Sequence, residues 1–505
     1  MAEDLVARAL TALRNRDFMA ARNSIAAYAR DNQLEFQHYL IMGLSDLALE
    51  DWQAAAATFE EAAALFPHQP QLWFNLGVAQ ENLGRFAEAI ESFEHSLDLK
   101  AEQGEACGNL SNLYRRTGLF SAAETMAHRA YELGAPKAQA LNALGLALAR
   151  QGKYEAADKI FREALRLEPQ SPHVLANLAN TAADRLDFAA AWPLYAAARA
   201  VSNEPAIRHE EAMVRLLAGE TEIGWPLYES RLERPGALRI KPKAPLWNGQ
   251  FAAGQKVLLV AEQGFGDAIQ FCRYGSLMSG SGAILTWIAP TPLKRLLAQN
   301  LPGLVLSEDD PVPETDCWLP LLSLPLALRK LAFAQAPPAP WLTVPAKPEL
   351  PVLKNPSKTY LRKIGIVWAG SASHERAHER SIPIEMFARV FEQIPGHYYA
   401  PFTGPELDDI KPPLPVMRLD HLISDFADTA GLLMQLDWLI TVDTAVAHLA
   451  GALGVKTCLL LSHCPDWRWG IAGAATPWYP SLTLLRQPKY GDWESVIGAL
   501  IGVLK

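Results

Sequence analysis

A 34-residue period running from roughly residue 5 to residue 205 constrains this chain more than any other feature. The pairs Met42–Gly43, Leu76–Gly77, Leu110–Ser111, Leu144–Gly145 and Leu178–Ala179 stand one period apart. The same spacing joins Ala21, Ala55, Ala89, Ala123, Ala157 and Ala191. It also joins Phe59, Phe93, Phe161 and Tyr195, with Ala127 in the remaining slot. Gly84, Gly118 and Gly152 fall in phase at a turn position, and Pro67 and Pro169 end their units. Small residues at two fixed positions let two antiparallel helices approach closely, and a large ring at a third fills the gap to the next unit. Glycine reverses the chain between the helices. The pattern predicts an α-solenoid of about five repeats, then a degenerate unit from Ala212 to Leu232 that contains Trp225-Pro226-Leu227-Tyr228. A stack of this kind curls into a concave groove suited to an extended peptide.

This period and its small-residue pattern resemble the tetratricopeptide repeat. Asn75, Asn109 and Asn177 precede the Leu-Gly-type pair in phase, whereas the copy at 143 is alanine with Asn142 one step away. On the first helix of each unit this position should face the groove, where an amide offers two donors and an acceptor to a peptide backbone. The series is similar to the asparagine ladder of the O-GlcNAc transferases; it also fits a repeat in which asparagine is simply common. We carry Asn75, Asn109 and Asn177 forward as acceptor-binding candidates.

Composition narrows the remaining options. Of 505 residues half are hydrophobic and 20% charged, which describes a folded chain. A net charge of −9 argues against a nucleic-acid partner held by a basic footprint. The longest apolar run, Trp318 to Leu328, is too short to span a bilayer and contains Pro320 and Pro325. No signal peptide is legible at the acidic N-terminus, and five cysteines without a C-x-x-C suit a reducing cytoplasm.

After Arg234 the character changes. Residues 234–250 hold three prolines and two glycines and read as a connector. Strand-like runs follow at Val257–Val260, Ala283–Ile288, Ile364–Trp368, Trp438–Val442 and Cys458–Leu461. They alternate with helical patterns at Ala268–Met278, near Pro292–Gln299, and at Ile384–Phe391, Thr444–Leu453 and Trp493–Leu504. A second proline-rich stretch, 336–356, divides them. Alternation of this kind predicts parallel doubly wound sheets. The expected organisation is a solenoid over 1–234, a first Rossmann-like lobe over 251–340 and a second over 357–505. In open α/β sheets ligands sit at the carboxyl ends of strands, so the strand-to-helix loops are where chemistry belongs.

Four loops stand out. In Glu262-Gln263-Gly264-Phe265-Gly266-Asp267 the two glycines allow positive φ and close ligand approach, and Asp267 is either an N-cap or a general base aimed into the cleft. In Asp443-Thr444-Ala445-Val446-Ala447-His448 small side chains leave N–H groups open at a helix start, which suits a phosphate or diphosphate; a capped, tightly packed helix reads equally from these residues. The third runs from Gly370-Ser371 to Arg380-Ser381-Ile382-Pro383, where the Arg380 fork could reach phosphate oxygens. The residues between His374 and His378 in it are not obviously helical, and no carboxylate partner is fixed, so a metal fits this pair poorly. The fourth, Asp466-Trp467-Arg468-Trp469 with Trp478-Tyr479, reads as inter-lobe packing before it reads as a stacking surface.

In combination, Pro245–Gly249, Ala261–Phe271, Arg380–Pro383, Val442–His448 and Asp466–Trp469 resemble the catalytic half of bacterial tetratricopeptide-repeat glycosyltransferases, relatives of the heptosyltransferases with a GT-B fold that include flagellin glycosyltransferases. The likeness covers most of residues 220–505. It implies an inverting, metal-independent transfer from a nucleotide-activated sugar, without a further cofactor. Asp267 would be the base, and Gly264, Gly266, Gly370, Arg380, Asp443, Thr444, Ala445 and His448 would hold the donor. Ala445 stands where the heptosyltransferase pattern has glycine. The acceptor would be a protein held by the repeats, flagellin among the candidates, and the donor in such systems can be a CMP-linked nonulosonic acid of the pseudaminic type. Transfer onto a glycan or lipid, and a non-catalytic adaptor with a degenerate lobe pair, are the alternatives.

Overall fold

The computed structural model describes residues 2–234, 236–345, 351–353, 361–371 and 376–505. The chain divides into two compact units that meet at Ala182–Ala183.

The first unit is built of helices α1 (Ala2–Arg14), α2 (Phe18–Tyr28), α3 (Phe36–Ala48), α4 (Trp52–Leu65), α5 (Pro70–Asn82), α6 (Phe86–Leu99), α7 (Gly104–Arg116), α8 (Phe120–Glu132), α9 (Lys137–Ala149) and α10 (Tyr154–Leu167). These form five successive hairpins, and α11 (Pro172–Asp184) runs past the end of the unit. Asp17 and Asp51 cap α2 and α4 by accepting the N–H groups of Ala20 and Ala54, and Pro70 opens α5. Both devices satisfy or remove donors that a helix start leaves unpaired.

The small-residue code has a concrete cause. A Cβ on Gly77 would lie 2.9 Å from the Phe93 ring, and one on Gly145 would lie 2.5 Å from Phe161. The ring therefore fills the space left by the glycine of its own hairpin, rather than only the gap to the next unit. Ser111 replaces that glycine in the fourth hairpin, and there the ring slot holds Ala127, so one side chain grew where its neighbour shrank. Ser111 Oγ donates to the Ala123 carbonyl at 2.9 Å. The turn slot is equally regular: Arg16, Glu50, Gly84, Gly118 and Gly152 all take φ between 58° and 83°.

The second unit opens with α12 (Phe188–Val201), α13 (Pro205–Leu217) and α14 (Thr221–Tyr228). The break in the chain thus precedes these helices and does not follow residue 234. Trp225 explains the placement of α14: fully buried, it sits edge-on to Trp467 at 5.3 Å and to Phe271 at 6.0 Å, and its Nε1 donates to the Leu331 carbonyl at 2.8 Å.

Two parallel sheets follow. The first contains β1 (Lys256–Val260), β2 (Ile284–Ala289), β3 (Leu304–Ser307) and β4 (Cys317–Pro320) in the order β3-β2-β1-β4. The second contains β5 (Arg362–Val367), β6 (Gly396–Ala400), β7 (Val416–Arg418), β8 (Trp438–Val442), β9 (Thr457–Leu461) and β10 (Leu482–Arg486) in the order β10-β9-β8-β5-β6-β7. Counted from its own first strand the second sheet reads 3-2-1-4-5-6, the order of doubly wound nucleotide-binding sheets, and the first sheet repeats its opening 3-2-1-4. The connecting helices are α15 (Phe265–Cys272), α16 (Gly275–Met278), α17 (Lys294–Asn300), α18 (Leu324–Ala327), α19 (Ala377–Arg380), α20 (Ala388–Gln393), α21 (Phe426–Leu433) and α22 (Ala445–Leu453), and α23 (Trp493–Leu504) closes the chain. The continuous helix expected over 268–278 is broken at Arg273–Tyr274, where buried Arg273 turns to donate to the Trp478 carbonyl at 3.0 Å.

Candidate functional site

The carboxyl ends of β1, β5, β6, β8 and β9 and the start of α21 open onto one cleft of about 1020 Å³. In each sheet the first and fourth strands in chain order lie side by side with their crossovers leading away in opposite directions. That switch point leaves a crevice between the loops, and it is where such sheets hold ligands. All of Gly264, Gly266, Asp267, Gly370, Arg380, Asp443, Thr444, Ala445 and His448 line this cleft. Asn75, Asn109 and Asn177 lie in the first unit, on α5, α7 and α11.

Neither glycine of the β1 loop needs a left-handed backbone: Gly264 has φ −85° and Gly266 is helical. The left-handed residue is Gln263, with φ 62°. Its Oε1 accepts the Tyr228 hydroxyl at 3.2 Å, so α14 secures the loop that carries the strain. Gly266 serves close approach instead. A Cβ there would lie 2.8 Å from His448 Cδ2 and 3.5 Å from the Ala445 Cα, so the starts of α15 and α22 touch through two small residues. Asp267 is the third residue of α15, not its N-cap, and its Oδ2 accepts the Gly264 N–H at 2.9 Å. Its Oδ1 pairs with Arg468.

Arg468 is buried and serves both lobes: Nε donates to Gln270 Oε1 at 2.8 Å, Nη1 to Asp466 Oδ1 at 2.8 Å, and Nη2 to Asp267. Its guanidinium lies 4.2 Å from the Trp467 ring centroid. Burial pushes the Asp267 carboxyl above its ordinary range, against the pull of Arg468 and the Gly264 N–H. Burial acts on Asp466 as well, but Arg468 faces it with both its fork and its backbone N–H and holds it below that range. Asp443 is raised by burial, opposed by Arg380, whose Nη1 stands 3.6 Å from Asp443 Oδ2. Arg380 lines the cleft, and its Nε is buried without a hydrogen-bond partner.

Thr444 is the N-cap of α22 without a capping side-chain bond; its Oγ1 lies 3.3 Å from Thr441 Oγ1. The first N–H groups of α22 therefore have no side-chain acceptor from Thr444, and Ala445 and Val446 line the cleft. His448 stacks on Trp469 at 5.0 Å, and its Nδ1 is 3.0 Å from the Tyr479 hydroxyl. Burial drives its pKa down to about 3, so the ring is neutral at any ordinary pH.

Sequence reasoning missed Glu406, Asp425 and Phe426, all cleft-lining. Glu406 follows β6, the second strand of its sheet, but β6 was not legible, so its loop could not be placed. Phe426 lies 5.1 Å from Phe265 across the lobes, and Arg295 of α17 binds Asp425 through Nε at 2.7 Å and reaches Asp428 as well. The aromatic run was read as packing, and Trp467, Trp469, Trp478 and Tyr479 are buried; Asp466 and Arg468 within it face the cleft. His374 lies outside the described residues, and His378 Nε2 sits 3.6 Å from Glu379. Among the described residues no group of three or more His, Cys, Asp or Glu side chains is arranged around a metal position, and no helix is long and apolar enough to cross a membrane.

Comparison with known proteins identifies the hairpins of the first unit. Residues 40–103 and 138–171 match the tetratricopeptide repeat family. The first unit is a tetratricopeptide-repeat solenoid. Protein FlbA of Caulobacter vibrioides is 24% identical over 374 residues, a match that takes in 65% of this chain and 60% of that protein. The match is longer than the repeats alone, and it spans less than two thirds of that relative. Among solved structures, a tetratricopeptide repeat protein from Parabacteroides merdae is 16% identical with a TM-score of 0.42, covering 46% of this chain and 93% of its own. YrrB, described as a TPR protein with an unusual peptide-binding site, is 18% identical with a TM-score of 0.32, covering 36% and 94%.

Proposed function

We propose that the second unit is a metal-independent glycosyltransferase of GT-B type, and that it moves a sugar from a nucleotide-activated donor to a Ser or Thr hydroxyl of a protein held by the repeats. The observation that carries this reading is the convergence of two doubly wound switch points on one cleft, with a carboxylate on one wall and an anion-suited helix start on the other. The donor's phosphates would meet the N–H groups at the start of α22 and the Arg380 guanidinium. Glu406, past the second strand, stands where doubly wound sheets place a carboxylate for ribose hydroxyls.

In the reaction Asp267 takes the proton of the acceptor hydroxyl as its oxygen bonds to the anomeric carbon. The bond from that carbon to the phosphate oxygen breaks, and the nucleotide leaves with the electron pair. Attack from the face opposite the leaving group inverts the anomeric centre. His448, neutral and pinned, would line the sugar subsite as a hydrogen-bonding ring and not as an acid. The acceptor class follows from the solenoid, whose concave face suits a polypeptide; flagellin as that polypeptide, and a CMP-linked pseudaminic-type donor, rest on the family resemblance alone.

Thermal shift of the full chain against CMP-, UDP-, GDP- and ADP-sugars tests the donor site, and stabilisation by one of them is expected. Transfer by Asp267→Asn at the wild-type rate would refute the base. Protein glycosylation undiminished by removal of residues 1–182 would refute the repeats as acceptor site. One observation favours a second reading, a sugar-nucleotide-sensing adaptor: both Asp267 oxygens are already engaged, by Gly264 and by Arg468. Donor binding without transfer to any protein would select it.

A further inference from the structure

We propose that Arg468 is a positioning residue for Asp267: a buried inter-lobe cation that holds this carboxylate in one orientation and keeps it ionised. The inference rests on the transferase reading above for what Asp267 does, and on geometry for what Arg468 does to it.

Arg468 lies in the turn after β9, in the second lobe, yet two of its three donor groups end on α15 of the first: Nε on Gln270 and Nη2 on Asp267. Nη1 and the backbone N–H return to Asp466, on its own turn, at 2.8 Å and 3.0 Å. The stack on Trp467 and the Trp478 Nε1 bond to the Arg468 carbonyl at 2.9 Å fix the fork from behind. A lysine could supply the charge but not three donors in a rigid plane. Asp267 is then clamped at both oxygens, by Arg468 and by the Gly264 N–H, and each oxygen keeps a second lone pair. One of these is free to accept a hydroxyl.

One guanidinium serves two carboxylates, so their ionisation states are coupled through it. Five titratable groups act on Asp267. Arg468 and Asp466 come from the turn after β9, Tyr228 from the end of α14 and Arg231 from the turn just beyond it, and Tyr479 from the loop before β10. His448 of α22 packs against the neighbouring Gly266. Burial leaves His448 neutral and pushes both tyrosines up, so only Arg468, Asp466 and Arg231 carry charge near neutrality. Removing Arg468 deprives the buried carboxylate of its nearest cation; removing the charge of Asp466 gives Asp267 the undivided guanidinium.

The two changes act in opposite directions. For a carboxylate base, activity falls as pH drops through its pKa, so a raised pKa moves the acid limb of the rate profile to higher pH. Arg468→Gln is expected to move that limb up by about one pH unit or more, the usual effect of losing an adjacent opposite charge. Asp466→Asn is expected to move it down. Arg468→Lys should keep the limb near the wild-type pH while kcat falls, because charge is retained and the fork is not. The experiment is the pH profile of sugar transfer by the full chain, paired with ¹³C titration of the Asp267 carboxyl, assigned by its loss in Asp267→Asn.

Shifts of opposite sign in the two variants establish the role, and they distinguish it from loosened packing, which would move both the same way. Should Arg468→Gln not fold, Asp466→Asn alone decides the matter. A carboxyl that titrates at the wild-type pH in Asp466→Asn, or that moves upward there, overturns the proposal. If wild type transfers no sugar while the carboxyl shifts as described, the transferase reading falls and the coupling stands.

Discussion

Gly145 and Phe161 offer a quantitative test of the packing code that shapes the solenoid. A Cβ on Gly145 would come 2.5 Å from Phe161 Cε1, 2.7 Å from Cζ and 2.8 Å from Cδ1. Carbon atoms settle at about 3.5–4.0 Å, so the ring must retreat by about 1 Å, and Phe161 is wholly buried with no room to do so. Overpacking of this kind costs about 1–3 kcal/mol. Replacing a mid-helix glycine returns up to about 1 kcal/mol of helix propensity. Gly145→Ala should therefore destabilise the α9–α10 hairpin by about 1–2 kcal/mol. In a Phe161→Ala background, itself costly by about 3–5 kcal/mol, the clash is gone and only the propensity gain remains. The same substitution should there become stabilising, giving a coupling of about 2–3 kcal/mol. Hydrogen exchange of peptides from residues 137–167 in the full chain reads this locally, without assuming that the whole chain unfolds in one step. Equal destabilisation by Gly145→Ala in both backgrounds would refute the size-compensation argument that also accounts for Ser111 with Ala127.

Further outcomes follow from the same coordinates. Glu50, at φ 58° in a slot that holds glycine at 84, 118 and 152, should yield a protein more stable by about 0.5–1 kcal/mol when changed to Gly; a lower melting temperature contradicts this. Trp225→Ala should cost about 3–5 kcal/mol and lower exchange protection in α15 and around Trp467 while leaving α1–α8 unchanged. Arg295→Gln removes the guanidinium paired with Asp428, which is fully buried, and should raise exchange in α21 more than elsewhere. Because His448 titrates near 3 when folded and near 6.5 unfolded, its contribution to stability is complete above pH 6.5. It is lost as pH falls, by about 1.4 kcal/mol per pH unit; a His448→Phe protein with the wild-type acid slope would contradict that.

The repeat half was legible because its signal is recurrent: each slot is sampled five or more times, so glycine–phenylalanine pairs and in-phase alanines rise above local noise. Arg16 and Glu50 take the same left-handed turn in phase with the glycines, but only the glycines read as turns. Strands β1, β2, β5, β8 and β9 were legible as buried apolar runs, since both faces of a parallel sheet are covered. Of the five strands missed, β3 and β10 are short apolar edges of their sheets, and the other three break this rule. β6 reads Gly-His-Tyr-Tyr-Ala, β7 is a three-residue edge, and Trp318–Pro320 of β4 hid inside a run taken as one apolar block. Losing β6 cost Glu406. The loop residues of the cleft were readable from β1, β5 and β8, but their partners were not: the Asp267–Arg468 pair joins positions 201 residues apart, and no local pattern encodes that meeting.

Helix α14 has a lasting consequence. Its Trp225 and Tyr228, with Arg231 just beyond, are bound to Leu331, Gln263 and Glu262. A piece of repeat-like architecture has in this way been annexed by the globular half. Upstream hairpins could be gained or lost in evolution, in whole 34-residue steps, without disturbing any of those three anchors. A domain transplant cut at the proline-rich joint after residue 234 would carry off the scaffold of the β1 loop along with the superhelix, and would deliver a cleft already undone.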